Sequence, residues 1–182
     1  MPKIYVVRHG EAAAGFGADA DPGLSLEGRR QAEQTAQDLK ELGPLAIYTS
    51  PLARARETAA PLAALWNVPP IVEPRIAEIP SPTSDLEARA TWLRGVMRGP
   101  WSDLSADLKT WRRELIDWVV AAPRDAVFFS HFVAINLLAG EAAGSADMVV
   151  FRPAYCSITS FDTATGRLTM IGRGDEGETR VT

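Results

Sequence analysis

Short apolar runs with strand character alternate along this chain with stretches whose apolar residues recur at every third or fourth position. Strands joined by helices of that length pair in parallel and must be covered by helices on their faces, because the connection has to cross the sheet. The first run, Lys3-Ile4-Tyr5-Val6-Val7-Arg8, is followed by a loop of small residues over 12–23 and then by a helix over 25–43, with Ser25 as its N-cap and Ala32, Ala36, Leu39 and Leu42 on its apolar face. Residues 45–50 read as a second strand. Pro51 suits the first turn of a helix carrying Leu52, Ala55, Ala59, Leu62 and Trp66, and 69–73 reads as a short third strand.

Residues 74–102 break the pattern. Pro74, Pro80, Pro82 and Pro100 interrupt them around one short helix over 84–97, and an irregular segment between regular units often walls a binding site. A longer helix over 103–121 sets Leu104, Leu108, Trp111, Leu115 and Trp118 along one face, the spacing of core burial. A strand over 125–130, a short helix over 133–138 and strands over 148–151, 155–161 and 168–171 complete the chain, with a turn at 162–166 between the last two. The expected fold is one domain over 1–182, a three-layer α/β/α sandwich with a mainly parallel sheet and a C-terminal antiparallel hairpin. With 182 residues, 46% of them apolar, the chain can bury a sizeable core.

Charge and cysteine usage narrow the setting. A net charge of −4 offers no basic field for nucleic acid or an anionic membrane. The single cysteine, Cys156, reads as buried packing in a reducing compartment. The N-terminal apolar run is too short for a signal peptide and no stretch approaches spanning length, so a cytoplasmic protein is the expectation. An exposed edge strand or a Trp-bearing surface would allow a homodimer without requiring one.

The chain has two histidines, His9 and His131, and each stands where a strand pattern gives way to a turn. In open α/β sheets ligands bind beyond the carboxyl ends of the strands, so the two can converge on one pocket. Taken alone, either is more often an ordinary surface or core histidine. Arg8 sets a permanent cation beside His9, and Gly10 lets backbone approach a ligand closely. Arg54 falls in the first turn after the second strand, near a helix N-terminus that favours anions, whereas Arg56 reads as a solvated helix residue. Glu78 lies between apolar neighbours, where partial burial raises a carboxyl's pKa toward the range of proton transfer. Arg89, Arg94 and Arg98 could meet an anionic substrate tail, but a solvated face accounts for them as well.

In order along the chain, Arg8-His9-Gly10-Glu11, Leu24-Ser25-Leu26-Glu27-Gly28-Arg29-Arg30-Gln31-Ala32, Ser50-Pro51-Leu52-Ala53-Arg54-Ala55-Arg56-Glu57-Thr58-Ala59, Arg75-Ile76-Ala77-Glu78-Ile79 and Ser130-His131 resemble the histidine phosphatase superfamily, also called the phosphoglycerate mutase-like family. The resemblance implies that His9 is the nucleophile that becomes phosphohistidine, that Arg8, Arg54 and His131 hold the phosphoryl group, and that Glu78 is the acid. It implies a histidine acid-type phosphomonoester hydrolase acting on a phosphorylated small molecule, with no metal and no cofactor. A cofactor-dependent phosphoglycerate mutase and a non-catalytic phosphate-binding module are the alternatives. Three departures bear on specificity. Phe132-Val133 stands where many members carry Gly-Gly, the loop after Glu11 lacks the Asn with which many bind phosphate, and Pro80-Ser81-Pro82-Thr83 replaces a Gly-Asp-Trp-Glu-Gly stretch.

Overall fold

A computed structural model describes residues 2–15 and 17–178. Six strands form one sheet in the order β3-β2-β4-β1-β5-β6. They are β1 (Lys3–Arg8), β2 (Ala46–Thr49), β3 (Ile71–Val72), β4 (Ala126–Ser130), β5 (Ile158–Asp162) and β6 (Thr169–Gly172). The first four are parallel to one another, while β5 runs antiparallel to β1 and β6 antiparallel to β5. The helices are α1 (Leu26–Leu39), α2 (Ala53–Trp66), α3 (Leu86–Val96), α4 (Ala106–Val120) and α5 (Phe132–Ala143).

Alternation of side chains along the strands divides the core into two layers. Ile4, Val6, Ala126 and Phe128 pack with Leu115 and Val119 of α4 and Ile135 and Leu138 of α5, whereas Val7, Val127 and Phe129 pack with Leu39 of α1 and Leu62 of α2. Strand β4 is therefore buried on both faces, as its unbroken apolar run requires. Each fully buried Leu or Phe here contributes roughly 1.5–3 kcal/mol of burial, so the two layers together hold the sheet rigid beneath whatever is built on its end.

Several expected boundaries shift, each for a local reason. The long helix begins at Ala106 because Ser105 Oγ accepts the Leu108 N–H, and residues before it form a 3-10 turn, Trp101–Asp103. The helix after β4 extends to Ala143 and stops where Gly144 takes φ +64°. Residues 148–151 are not a strand. Their amides turn inward instead, with Val150 N–H and Phe151 N–H both donating to Asn136 Oδ1 at 2.8 and 3.1 Å. Strand β5 starts at Ile158 rather than at residue 155, since Cys156 adopts φ +57° and donates its N–H to Arg8 O at 3.0 Å, bending the chain around the end of β1. Cys156 is buried against Leu24 and Ala32, and burial pushes its thiol up to about 11.

Candidate active site

Strands β1 and β4 are neighbours in register, Arg8 opposite Ser130, so the residues that follow them emerge side by side. His9 N–H donates to Ser130 O at 3.0 Å, and the His9 and His131 ring centroids lie 5.1 Å apart. The loop that follows β1 is locked to the helices around it. Gly10 N–H donates to Thr58 Oγ1 at 2.9 Å, and that hydroxyl donates in turn to Arg54 O at 2.6 Å. A Cβ on Gly10 would stand 2.7 Å from Gly28 O, and one on Gly28 would stand 2.1 Å from Glu11 O, so α1 and the loop meet through two glycines that no side chain can replace without movement. Ser25, the N-cap of α1, donates from Oγ to Glu11 Oε1 at 2.6 Å and from its N–H to Glu11 O at 2.9 Å.

The tautomer of His9 follows from its partners. Nδ1 lies 2.7 Å from Gly10 O, and a carbonyl can only accept, so Nδ1 carries the proton and Nε2 holds the lone pair. Arg54 Nε–H donates to that lone pair at 3.2 Å. Burial, followed by the charges of Arg54 and Arg8, holds the His9 pKa well below the ordinary 6.5, so the ring is neutral and nucleophilic near pH 7.

Arg8 and Arg54 are both buried. Arg8 Nη1 donates to Pro153 O at 2.8 Å, and its guanidinium carbon sits 4.1 Å from the centre of the Tyr155 ring. Burial lowers the pKa of each arginine, with nearby Glu78 opposing the effect in both. Glu78 is positioned by its neighbours. Ile76 and Ile79 are buried, Ser130 Oγ donates to Ile76 O at 2.8 Å, and the side chain between them faces the cleft. Desolvation raises the Glu78 carboxyl above its ordinary 4.5, against the pull of Arg54 and Arg8.

The structure thus gathers Arg8, His9, Arg54 and Glu78 into one cleft that encloses about 670 Å³, part of it open to solvent. His131 is placed differently. It is fully buried behind His9, and Phe132 and Val133, not His131, reach the cleft wall. Its Nε2 lies 2.8 Å from Ser50 Oγ, while Nδ1 has no hydrogen-bond partner among the described residues. Burial first, then Arg54, His9 and Arg8, depress its pKa well below 6.5. The His131 ring is therefore neutral near pH 7. Among the arginines in and after α3, Arg89 lines the cleft while Arg94 and Arg98 are exposed, and Arg56 is exposed as expected.

Three functional positions carry no assigned role in the sequence reading. Ser50 and Thr58 lie inside a motif quoted above, but their contacts to His131 and Gly10 need the fold. Tyr155 stacks on Arg8, with its ring centre 5.9 Å from that of His9, and nothing in its sequence surroundings marks it.

The model of the histidine phosphatase superfamily, branch 1, matches residues 4–176. The chain belongs to that superfamily. A probable phosphoglycerate mutase GpmB from Erwinia tasmaniensis is 31% identical over 121 residues, 64% of this chain and 51% of that protein. The chain spans about half the length of the curated relatives it matches. Among solved structures, a phosphoserine phosphatase from Entamoeba histolytica in complex with 3-phosphoglyceric acid superposes with a TM-score of 0.75 at 21% identity, covering 96% of this chain and 98% of that one. A mycobacterial glucosyl-3-phosphoglycerate phosphatase in complex with VO3 gives 0.72 at 21% identity, covering 97% and 98%. At those identities the likeness is one of fold. No helix among the described residues is long and apolar enough to cross a membrane.

Proposed function

We propose that this superfamily member is a metal-independent phosphatase of small phosphomonoesters that works through a phosphohistidine at His9. The observation that carries the reading is the state of His9: a neutral ring, its proton fixed on Nδ1 by Gly10 O, its Nε2 lone pair accepting from the buried Arg54 guanidinium, with the Arg8 charge also acting on the ring. In the first step Arg54 Nε–H turns its hydrogen bond from Nε2 to a phosphoryl oxygen as the substrate binds, Nε2 attacks phosphorus, the N–P bond forms as the ester P–O bond breaks, and the proton held by Glu78 passes to the leaving oxygen. In the second, water attacks phosphorus while giving a proton to the Glu78 carboxylate, the N–P bond breaks and phosphate departs.

Arg8 and Arg54 stabilise the charge that spreads over the equatorial oxygens, a task fixed cations perform without reorganisation. Ser50 Oγ accepts the Leu52 N–H at 3.2 Å and lies 2.8 Å from His131 Nε2; in this reading the hydroxyl is the donor of that second bond, which puts the ring N–H on His131 Nδ1. An unmade bond on a buried donor costs about 1–3 kcal/mol, so a phosphoryl oxygen accepting from this N–H is bound the more tightly.

The test is release of p-nitrophenolate from p-nitrophenyl phosphate in the presence of EDTA by wild type and His9→Ala. Wild-type turnover lost in His9→Ala supports the reading, while no release, or equal release by both, defeats it. The named mutase relative motivates a second reading, phosphoryl transfer between positions of a phosphoglycerate. Interconversion of 2- and 3-phosphoglycerate that depends on 2,3-bisphosphoglycerate and outpaces phosphate release would establish that reading instead.

A further inference from the structure

The cleft is lined by two kinds of side chain. Arg8, Arg54 and Glu78 line it together with His9. Leu93 of α3, Met97 one turn on, and Phe132 and Val133 at the start of α5 form an apolar wall that adjoins those charges, the Phe132 ring centre lying 5.3 Å from the Arg8 guanidinium carbon. Leu93, Phe132 and Val133 are almost wholly buried, so this wall is part of the core and cannot fold away from a ligand.

Charge sets the second constraint. The described side chains lining the cleft carry three guanidiniums, Arg8, Arg54 and Arg89, and two carboxylates, Asp19 and Glu78. Both histidines are neutral. With Glu78 holding the proton it must deliver, the cleft bears a surplus of two positive charges. A phosphate dianion cancels that surplus in full. An additional anionic group on the substrate would enter uncompensated beside an apolar wall, where an unpaired charge is costly.

We propose that the alcohol portion of the substrate is uncharged and apolar, ring-bearing or branched, that it packs on Leu93, Met97, Phe132 and Val133, and that the cleft discriminates against phosphomonoesters carrying a carboxylate. This inference rests on His9 phosphatase chemistry and names the substrate class for it. Phe132 and Val133 supply half of the wall, so the two residues that stand where many members have glycines become the specificity feature of this chain.

Three alkyl phosphates test it: ethyl phosphate, 2-phenylethyl phosphate and 3-phosphoglycerate. The expected kcat/KM for 2-phenylethyl phosphate exceeds that for ethyl phosphate by on the order of tenfold or more, the discrimination an apolar pocket gives for added hydrocarbon, and 3-phosphoglycerate falls at or below ethyl phosphate. Met97→Ser is expected to narrow the ratio of the first two while circular dichroism shows an intact fold, and Leu93→Ala supplies a second variant should that one not fold. Turnover of 3-phosphoglycerate at or above that of 2-phenylethyl phosphate overturns the inference, as does a phenylethyl-to-ethyl ratio near one or a ratio unmoved in a folded variant. Failure of wild type to release phosphate from any of the three, and to take label from 32P-labelled substrate, defeats the phosphatase reading itself and this inference with it.

Discussion

Gly28→Ala should destabilise the protein and disarm it, although alanine for glycine inside a helix ordinarily gains about 0.5–1 kcal/mol. Gly28 is the third residue of α1, and a Cβ there would lie 2.1 Å from Glu11 O and 3.0 Å from both Glu11 N and Glu11 C. All three are backbone atoms, so no side-chain rotation relieves the clash. Non-bonded heavy atoms settle near 3.5 Å, and the helix and the loop must therefore part by more than about 1 Å. That separation also strains the latch in which Ser25 N–H and Oγ both donate to Glu11. Overpacking costs about 1–3 kcal/mol, and a net loss of about 2 kcal/mol lowers the Tm of a domain this size by about 4–8 °C. Because Glu11 follows His9 and Gly10 directly, the nucleophile moves too, and a misplacement of about 1 Å is worth on the order of 100-fold in rate. Thermal unfolding followed by circular dichroism, with kcat/KM for p-nitrophenyl phosphate, reads both effects. Gly95→Ala in α3 is the control, since a Cβ there meets nothing within 4 Å, and it should hold or raise the Tm. A Gly28→Ala protein as stable as wild type with unchanged kcat/KM would refute the account of the loop.

Three further outcomes are expected. Arg54→Gln removes a buried cation and the N–H on His9 Nε2, so phosphoenzyme formation in a rapid-quench experiment should fall about 10²–10³-fold, and the His9 imidazole followed by NMR should titrate closer to 6.5. The pH profile of kcat/KM should rise as His9 loses its proton, below the ordinary histidine range, and fall as Glu78 loses its own, above the ordinary 4.5; Glu78→Gln should abolish the alkaline limb, and a retained limb would place the acid elsewhere. Asn136→Ala strips the acceptor from the half-buried Val150 N–H and the buried Phe151 N–H and the donor to Phe132 O, and with about 1–3 kcal/mol for the buried amide and the lower end of that range for the half-buried one it should cost about 2–4 kcal/mol in denaturant unfolding.

What could be read in advance was whatever depends on neighbours along the chain. The placement of His9 and His131 at strand ends follows from the strand period before each, and Arg54 in the first turn of α2 follows from the strand and Pro51 preceding it. Residues 148–151 show the limit. Met148-Val149-Val150-Phe151 has the composition of a strand, and only the distant Asn136 side chain, which captures two of its amides, decides otherwise. Glu78 was legible as a carboxylate among apolar residues, but its entry into the cleft depends on Ser130 holding Ile76, a contact across 54 positions. The neutrality of His131 was not legible at all, since it comes from complete burial and from guanidiniums brought in by other elements. The role of Tyr155 is hidden in the sequence for the same reason: its meaning is the stacking on Arg8, and that needs the turn at Cys156.

The central claim is that His9 Nε2 takes the phosphoryl group. Wild type quenched during turnover of 32P-labelled 2-phenylethyl phosphate should yield an acid-labile, alkali-stable label, which peptide mapping locates at His9 and 31P NMR assigns to Nε2, and His9→Ala should carry none. Label on another residue, or turnover by wild type with no phosphoenzyme while His9→Ala remains active, would contradict it.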